Sequence, residues 1–385
     1  MVSRRQRHDA ALHVDVAVLG AGPAGVASAL ALRAKGLRVA VLGDAASDAL
    51  KPGEYLPGSA QRLLRALGLG RVEEVLHDAD RLPCHAKVSA WGGDDWAWQD
   101  SLHDPEGGGW HILRHRFEQR LAEAAHAQGV GFWPGRLGAL ADDGVDYRVE
   151  LGAGATVLAP RLVDATGRRA WLVRRLAGPP VKGDAQMAVV GWFTTPDDGP
   201  VEQITRIRSV ESGWWYTAPL PGRLRVVAFH GLAEAVSALH RDPDRFTRQA
   251  GEVVLARLIA PVAPLQACDA CVQLAPHVAG PRWLAVGDAA LSFDPLSSQG
   301  LQFALYSGIM AAEAICAALA DPAGARNAMA RYCAQVSDVY RTNQRTRCMF
   351  YLQERRFQDA PYWNAQHMSF ADHGTGRVTV PMQNF

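Results

Sequence analysis

Three separated clusters of residues in this chain have the types and spacing to do chemistry together. The first is Gly20-Ala21-Gly22-Pro23-Ala24-Gly25, directly after the apolar run Val14 to Leu19. Gly20 permits a tight turn, Gly22 lets the backbone approach a pyrophosphate, and Gly25 lets the next helix pack closely on the strand. The N-terminus of that helix then offers free amides and a positive dipole end to the phosphates. The second cluster is Asp164-Ala165-Thr166-Gly167. The third is Gly287-Asp288, followed by Asp294-Pro295-Leu296-Ser297-Ser298-Gln299-Gly300. Each is common alone. In this order they describe an FAD site and exclude a simple nicotinamide dehydrogenase.

An acid that holds the adenosine ribose is expected about twenty residues beyond the glycine loop. Gly43 occupies that place, which leaves its neighbour Asp44 as the candidate. Gly300 and Leu301 open an apolar helix, so their amides point at the pyrimidine end of the flavin. A helix N-terminus there stabilises the anion formed on reduction. The sequence has no second glycine-rich strand-loop-helix. That absence leaves the reductant open: transiently bound NADH or NADPH, or a separate flavin reductase, is expected to supply the electrons.

The elements that must position these residues follow from apolar periodicity. Residues 14–19 and 37–42 read as parallel strands buried on both faces, joined by a helix from Ala24 to Lys35 that ends at Gly36. Helical spacing recurs from Pro57 through Leu76, and Trp110 to Gln128 reads as a strand and then a helix, with Phe117, Leu121 and Ala124 on one face. Residues 81–109 change character, with Trp91, Trp96 and Trp98 among Gly and Asp, and read as an excursion into a second domain whose tryptophans rim a pocket. Strand-like, aromatic-rich segments at 189–194, 203–210, 214–218 and 224–230 predict an antiparallel sheet that builds a substrate pocket. Helical spacing interrupts it at 246–258. Residues 283–287 are a further buried strand, 300–319 a long small-residue helix, 328–363 a helical tail, and 369–385 an irregular end. The expected fold class is α/β: a Rossmann-like FAD-binding domain (10–80, 103–180 and 279–330), an inserted antiparallel-sheet substrate domain (81–102 and 181–278), and a helical C-terminal segment (331–385).

Composition excludes several function classes. The 385 residues carry 40 basic and 39 acidic side chains, a formal net charge of +1, so no nucleic-acid partner and no acidic membrane surface is expected. There is no signal peptide and no run of about 18 apolar residues, so the expected location is cytoplasmic. Cys268 and Cys271 form a C-x-x-C, but no second pair has ligand spacing. They read as packed strand residues, with no metal site.

On these motifs the chain resembles the para-hydroxybenzoate hydroxylase class over nearly its whole length. That resemblance implies that Arg114 reaches the flavin side of the pyrophosphate, that Asp288 bonds the ribityl chain and that Pro295 lies beside the isoalloxazine. Lys51-Pro52-Gly53-Glu54 and Gly213-Trp214-Trp215-Tyr216-Thr217-Ala218-Pro219-Leu220 are similar to segments of the flavin-dependent halogenases, although the tryptophans are adjacent here and the W-x-W-x-I-P pattern is broken. Halogenases also carry a lysine after the Gly-Glu segment, thought to relay hypochlorous acid or form a chloramine. This chain has no lysine between Lys51 and Lys87; Arg62 and Arg65 stand in the interval, and arginine does not replace an amine that must lose a proton.

The Gly-Trp-Trp-Tyr segment, the Asp294 to Gly300 turn and the tail Glu354-Arg355-Arg356-Phe357 with Pro361-Tyr362-Trp363 resemble the flavoproteins that mature tryptophylquinone enzymes: the lysine ε-oxidase and glycine oxidase maturases and the monooxygenase of quinohemoprotein amine dehydrogenase biogenesis. The resemblance implies hydroxylation of a tryptophan side chain in a peptide or protein, with dioxygen as co-substrate. An electron-rich indole suits an electrophilic oxygen delivered by reduced flavin, and the protein's tasks are to exclude water and hold the ring. Glu54 and His230 are the candidate acid and base, and Trp214, Trp215 and Tyr216 the expected pocket walls. Two other readings stay open: a halogenase or hydroxylase of a free small aromatic, and a non-catalytic FAD-binding assembly partner.

Overall fold

Val16–Leu19 (β1) and Val39–Leu42 (β2) are buried at every position, which is why neither alternates polar and apolar residues. They lie at the centre of a parallel five-stranded sheet whose order is Trp283–Ala285 (β12), Leu162–Asp164 (β6), β1, β2 and Gly131–Trp133 (β5). This computed structural model describes residues 11–373, apart from 45, 46, 101–106, 153, 197–200, 255 and 256. Helix α1, Pro23–Ala34, leaves β1 through the glycine loop, with Gly22 as its N-cap. Helix α2, Arg114–Ala127, buries Phe117, Leu121 and Ala125, so Ala125 rather than Ala124 completes its inner face. Helix α3, Gly300–Ala320, crosses α1 closely: a Cβ on Gly308 would lie 2.8 Å from Ala24 O. By length and composition α3 could cross a membrane, contrary to the expectation that the chain has no such run. Half of that window is buried in the protein, and it packs as a core helix against α1.

The second sheet has seven strands. Its order is Gln266–Asp269 (β11), Met187–Thr194 (β7), Leu224–Gly231 (β10), Gly213–Leu220 (β9), Ile204–Val210 (β8), Ala86–Ala90 (β3) and Ala97–Asp100 (β4). It is antiparallel except where β3 pairs parallel with β8, because the excursion before residue 101 enters the sheet from the other end. The flanks of that excursion go elsewhere: Arg81–Cys84 and Gly109–Ile112 form a small sheet with Tyr55–Leu56. The long helix expected from Pro57 to Leu76 is two short ones, Ala60–Ala66 and Val72–Val75, separated by Gly68 and Gly70 at positive φ. The helix expected at 246–258 is Pro243–Val254 among the described residues, and Ala233–Arg241 is a helix that the periodicity did not reveal.

Two helices close the chain. Helix α4, Ala325–Gln353, and helix α5, Pro361–His373, break at 354–360, and residues 369–373, expected to be irregular, are the last turns of α5. Residues 374–385 lie outside the described part, as does the basic start at 1–8. Trp91, Trp214, Tyr351, Tyr362 and Trp363 form one aromatic cluster that docks these helices on the second sheet.

Candidate active site

The glycine loop is shaped by steric exclusion. Gly20 has φ +111°, and a Cβ there would sit 2.3 Å from Ala165 O, in the second motif. A Cβ on Gly25 would sit 2.0 Å from Gly20 O, so helix and strand pack only because it is absent. Gly22 differs: a Cβ there would meet nothing within 4 Å. It faces an open cavity of about 410 Å³ that Asp44, Lys51, Arg114, Arg136 and Arg169 also line. Amides at a helix N-terminus with several cations around them fit a pyrophosphate. Asp44 is present, but its Oδ1 accepts from Gly135 N–H at 3.0 Å, so its carboxylate already shapes the loop at the cavity edge. Asp164 is turned inward and accepts from Leu172 and Val173 N–H at 2.8 and 2.9 Å, with Thr166 on its other oxygen.

A second cavity of about 330 Å³ lies between the seven-stranded sheet and the Asp294 turn. Arg114, Asp288, Gly300 and Leu301 line both cavities, so the two adjoin at the start of α3. An elongated dinucleotide with its phosphates at Gly22 and its ring system at the start of α3 fits this arrangement. Arg114 is anchored by Glu118, whose Oε1 accepts from Nε at 2.9 Å, and Nη1 donates to Pro52 O at 2.7 Å. Lys51 Nζ reaches the other Glu118 oxygen at 2.7 Å. Burial works against Glu118 ionisation, yet the two cations hold its carboxyl below the ordinary range. Gly53, at φ +96°, leaves room for Arg114: a Cβ would approach Nη1 to 2.4 Å. Asp288 is part-exposed, with Arg168 Nε 4.0 Å away. Pro295 lines the second cavity beside Ser297 and Ser298, the latter at φ +51°.

Glu54 lines the same cavity and is 5% exposed. Burial pushes its carboxyl pKa up, against the hydrogen bond it shares with Tyr216 and the amide of Gly53, which donates at 2.8 Å. Burial, with Glu54 adjacent, also lifts the Tyr216 hydroxyl well above its usual value. His230, at the end of β10, is buried, and burial lowers its imidazole to about 4, leaving it neutral near pH 7. It stacks on Trp214 with ring centroids 3.7 Å apart and planes within 7°. Its Nδ1 is buried with no hydrogen-bond partner.

Trp214 and Tyr216 line the cavity, but Trp215 does not. Successive strand residues point to opposite faces, and Trp215 goes into a separate core with Phe229 and Phe246, at centroid distances of 5.0 and 5.2 Å. Its expected place as a pocket wall is thus corrected. Trp91 packs edge-on behind Trp214 and Trp98 is 67% exposed, and neither they nor Trp96 line the cavity. Cys268 sits in β11 and Cys271 just beyond it, both as free thiols; burial pushes Cys271 up to about 12. Among the described residues no group of three potential metal ligands occurs.

Sequence reasoning passed over Lys87. The parallel register of β3 on β8 places its Nζ 4.0 Å from the centroid of the Tyr55 ring, and Tyr55 lines the cavity. The lysine-free interval therefore ends at an amine one ring away from the site. Gln186, Arg347 and Tyr351 were also passed over, and Tyr362 was named only as part of the tail segment. They come from distant segments, though Tyr340, Asn343, Arg347 and Tyr351 recur at helical spacing as a buried polar and aromatic face of α4.

Comparison with known proteins places the chain in a family and a fold. A family model for tryptophan halogenases matches residues 98–380. LodB of Marinomonas mediterranea, named as an FAD-dependent oxidoreductase, is 28% identical over 373 residues, 92% of this chain and 96% of that protein. Tryptophan 2-halogenase of Chondromyces crocatus is 24% identical over 397 residues, 93% of this chain and 72% of the halogenase. The structure of QhpG, a peptidyl tryptophan dihydroxylase essential for tryptophylquinone cofactor biogenesis, superposes with a TM-score of 0.76 at 25% identity, covering 92% of this chain and 78% of that one. The chain belongs to the tryptophan halogenase family, and it is an FAD-dependent oxidoreductase.

Proposed function

We propose that this protein is an FAD monooxygenase that hydroxylates an indole, most specifically a tryptophan side chain in a peptide or protein precursor of a tryptophylquinone cofactor. The observation that carries the reading is the neutral imidazole of His230 lining, with Trp214 and Tyr216, a cavity that adjoins the phosphate cradle. Bound FAD, once reduced, supplies an electrophilic oxygen from dioxygen. Gly20, Gly22 and Gly25 would hold its pyrophosphate with Arg114, Asp44 would mark the ribose end, and Asp288, Pro295, Gly300 and Leu301 would surround the ring system. NADH, NADPH or a separate reductase would supply the electrons.

The chain's own residues have three tasks. The aromatic walls exclude water and orient a flat ring. The neutral His230 imidazole accepts the indole N–H, and a base there increases the electron density of the ring carbons. Glu54, whose proton is favoured by burial, would hold a proton at its carboxyl beside Tyr216, ready for donation into the cavity. The likeness to QhpG supports the peptide substrate.

A second reading, halogenation of a free aromatic, is favoured by Lys87 beside Tyr55 and by the likeness to tryptophan 2-halogenase. Hydroxylation fits better because Tyr55, not Lys87, lines the cavity. The deciding experiment incubates FAD-loaded protein, NAD(P)H and air with tryptophan-bearing peptides, with and without chloride and bromide, and reads product mass. Oxygen gain on tryptophan supports the proposal; halogen gain supports the second reading. A flavin that neither takes up electrons nor reacts with dioxygen would leave the assembly-partner reading standing.

A further inference from the structure

One buried guanidinium joins the two walls of the second cavity. Arg347, on α4, is almost wholly buried, and its Nε donates to Asp294 Oδ2 at 2.9 Å. Its Nη2 donates to Asp184 Oδ2 at 2.7 Å and to Gln366 Oε1 of α5. Asp294 is the first residue of the turn that lines the cavity, and its other oxygen accepts from Leu296 N–H at 2.9 Å. One carboxylate oxygen therefore shapes the turn, while the other ties the turn to the C-terminal helices.

Asp184 leads to the opposite wall. Its Oδ1 accepts from Gln186 N–H at 2.9 Å, and Gln186 is completely buried. The Gln186 side-chain oxygen accepts from Tyr362 of α5 and lies 3.3 Å from Trp214 Nε1. Trp214 Nε1 also donates to the Tyr362 hydroxyl at 2.9 Å. Tyr351 of α4 stands 2.9 Å from Asp294 Oδ2 and 3.1 Å from Gln186 Oε1, so its hydroxyl spans both arms. Trp214 in turn carries the stacked His230. The path from the turn to the imidazole runs through the guanidinium and one tyrosine pair, all from α4 and α5.

We infer that Arg347 is a positioning residue of this site: through Asp294 and Asp184 it sets the distance between the Asp294 turn and the Trp214–His230 wall, and so makes α4 and α5 part of the active-site frame. A guanidinium suits this because its planar fork engages two carboxylates at fixed angles, which an ammonium does not. The inference rests on the proposed flavin site, but its readouts do not require the substrate to be known.

The test compares full-length wild type, Arg347→Met and Arg347→Lys, each loaded with FAD. Arg347→Met should still bind FAD, because the glycine cradle is remote from it. The visible circular dichroism of the bound flavin and its midpoint potential should both shift. With a hydroxylated peptide as readout, kcat should fall by about 10²-fold, the loss that a displacement of about 1 Å causes in a positioned group. Arg347→Lys should lie between. Wild-type dichroism and potential in Arg347→Met would overturn the inference, whether or not any peptide is hydroxylated. If Arg347→Met does not fold, Tyr351→Phe, which removes one hydroxyl from Asp294, should shift the same two signals less in the same direction. A Tyr351→Phe protein identical to wild type in both would overturn it equally.

Discussion

The cradle around Gly20 and the cavity around His230 adjoin at the start of α3, yet they are built on different principles. The cradle is backbone: turns at positive φ, a helix N-terminus and glycines whose missing Cβ atoms leave room. The cavity is side chain: Glu54 just before the Tyr55–Leu56 strand, Trp214, Tyr216 and His230 from β9 and β10, and a turn held by α4 and α5. A backbone site tolerates change everywhere except at a few positions that admit no substitution. A side-chain site spreads its dependence over many residues, each of moderate effect.

Glycine substitution should break this contrast most sharply. Gly20→Ala places a methyl against Ala165 O at a φ that costs about 1–3 kcal/mol before any clash, so the purified protein should carry no flavin and melt lower. Gly22→Ala meets no internal neighbour within 4 Å. Its apoprotein should melt like wild type while FAD affinity, measured by flavin fluorescence titration, collapses. Equal melting losses in both variants would mean that Gly22 is structural.

In the cavity, Glu54→Gln and His230→Phe should retain FAD and lower kcat by about 10²–10⁴-fold, the range for loss of a general acid or base. Stopped-flow turnover with the peptide substrate measures this, and unchanged kcat in both would remove them from the chemistry. Trp215→Ala and Trp214→Phe form the next pair. Trp215→Ala should cost about 3–5 kcal/mol of stability with little change in KM, whereas Trp214→Phe should cost less stability and change KM. The reverse pattern would mean that the faces of β9 are wrongly assigned.

The acid limb of stability gives a smaller signal. His230 in the folded protein has a pKa of about 4, below its unfolded value, so between about pH 6.5 and 4 the unfolded chain binds the extra proton. Stability should therefore fall with pH across that window, by up to about 1.4 kcal/mol per pH unit from this residue. His111, which burial lowers to about 3, adds a slope of the same sign. Melting curves of His230→Phe should show the shallower slope. Smallest of all, Lys87→Met should change hydroxylation less than about twofold, because Lys87 does not line the cavity. Loss of all product formation would move the lysine into the site.

The same contrast explains what was legible in the sequence. Gly20 and Gly25 were legible because a turn at φ +111° and a Cβ that would lie 2.0 Å from Gly20 O leave glycine as the sole choice, and Gly22 because it completes the same local spacing. The cavity was only half legible. Alternation dictates that Trp214 and Trp215 face opposite ways, but not which one faces the site; that depends on the register of β9 on β10. Lys87 was missed because its position beside Tyr55 depends on a parallel pairing that no local pattern encodes. The Arg347 to Asp184 pair spans 163 residues, and only the folded chain brings it together.

The most direct test of the central claim is the mass of tryptophan-bearing peptides after incubation with the FAD-loaded protein, NAD(P)H and air, each run beside His230→Phe. We expect one or two oxygen atoms added to a tryptophan by the wild type, and a large loss of that product with the flavin still reduced in the variant. Wild-type protein that consumes reductant and releases only peroxide with every peptide, or that adds halogen when bromide is present, would contradict it.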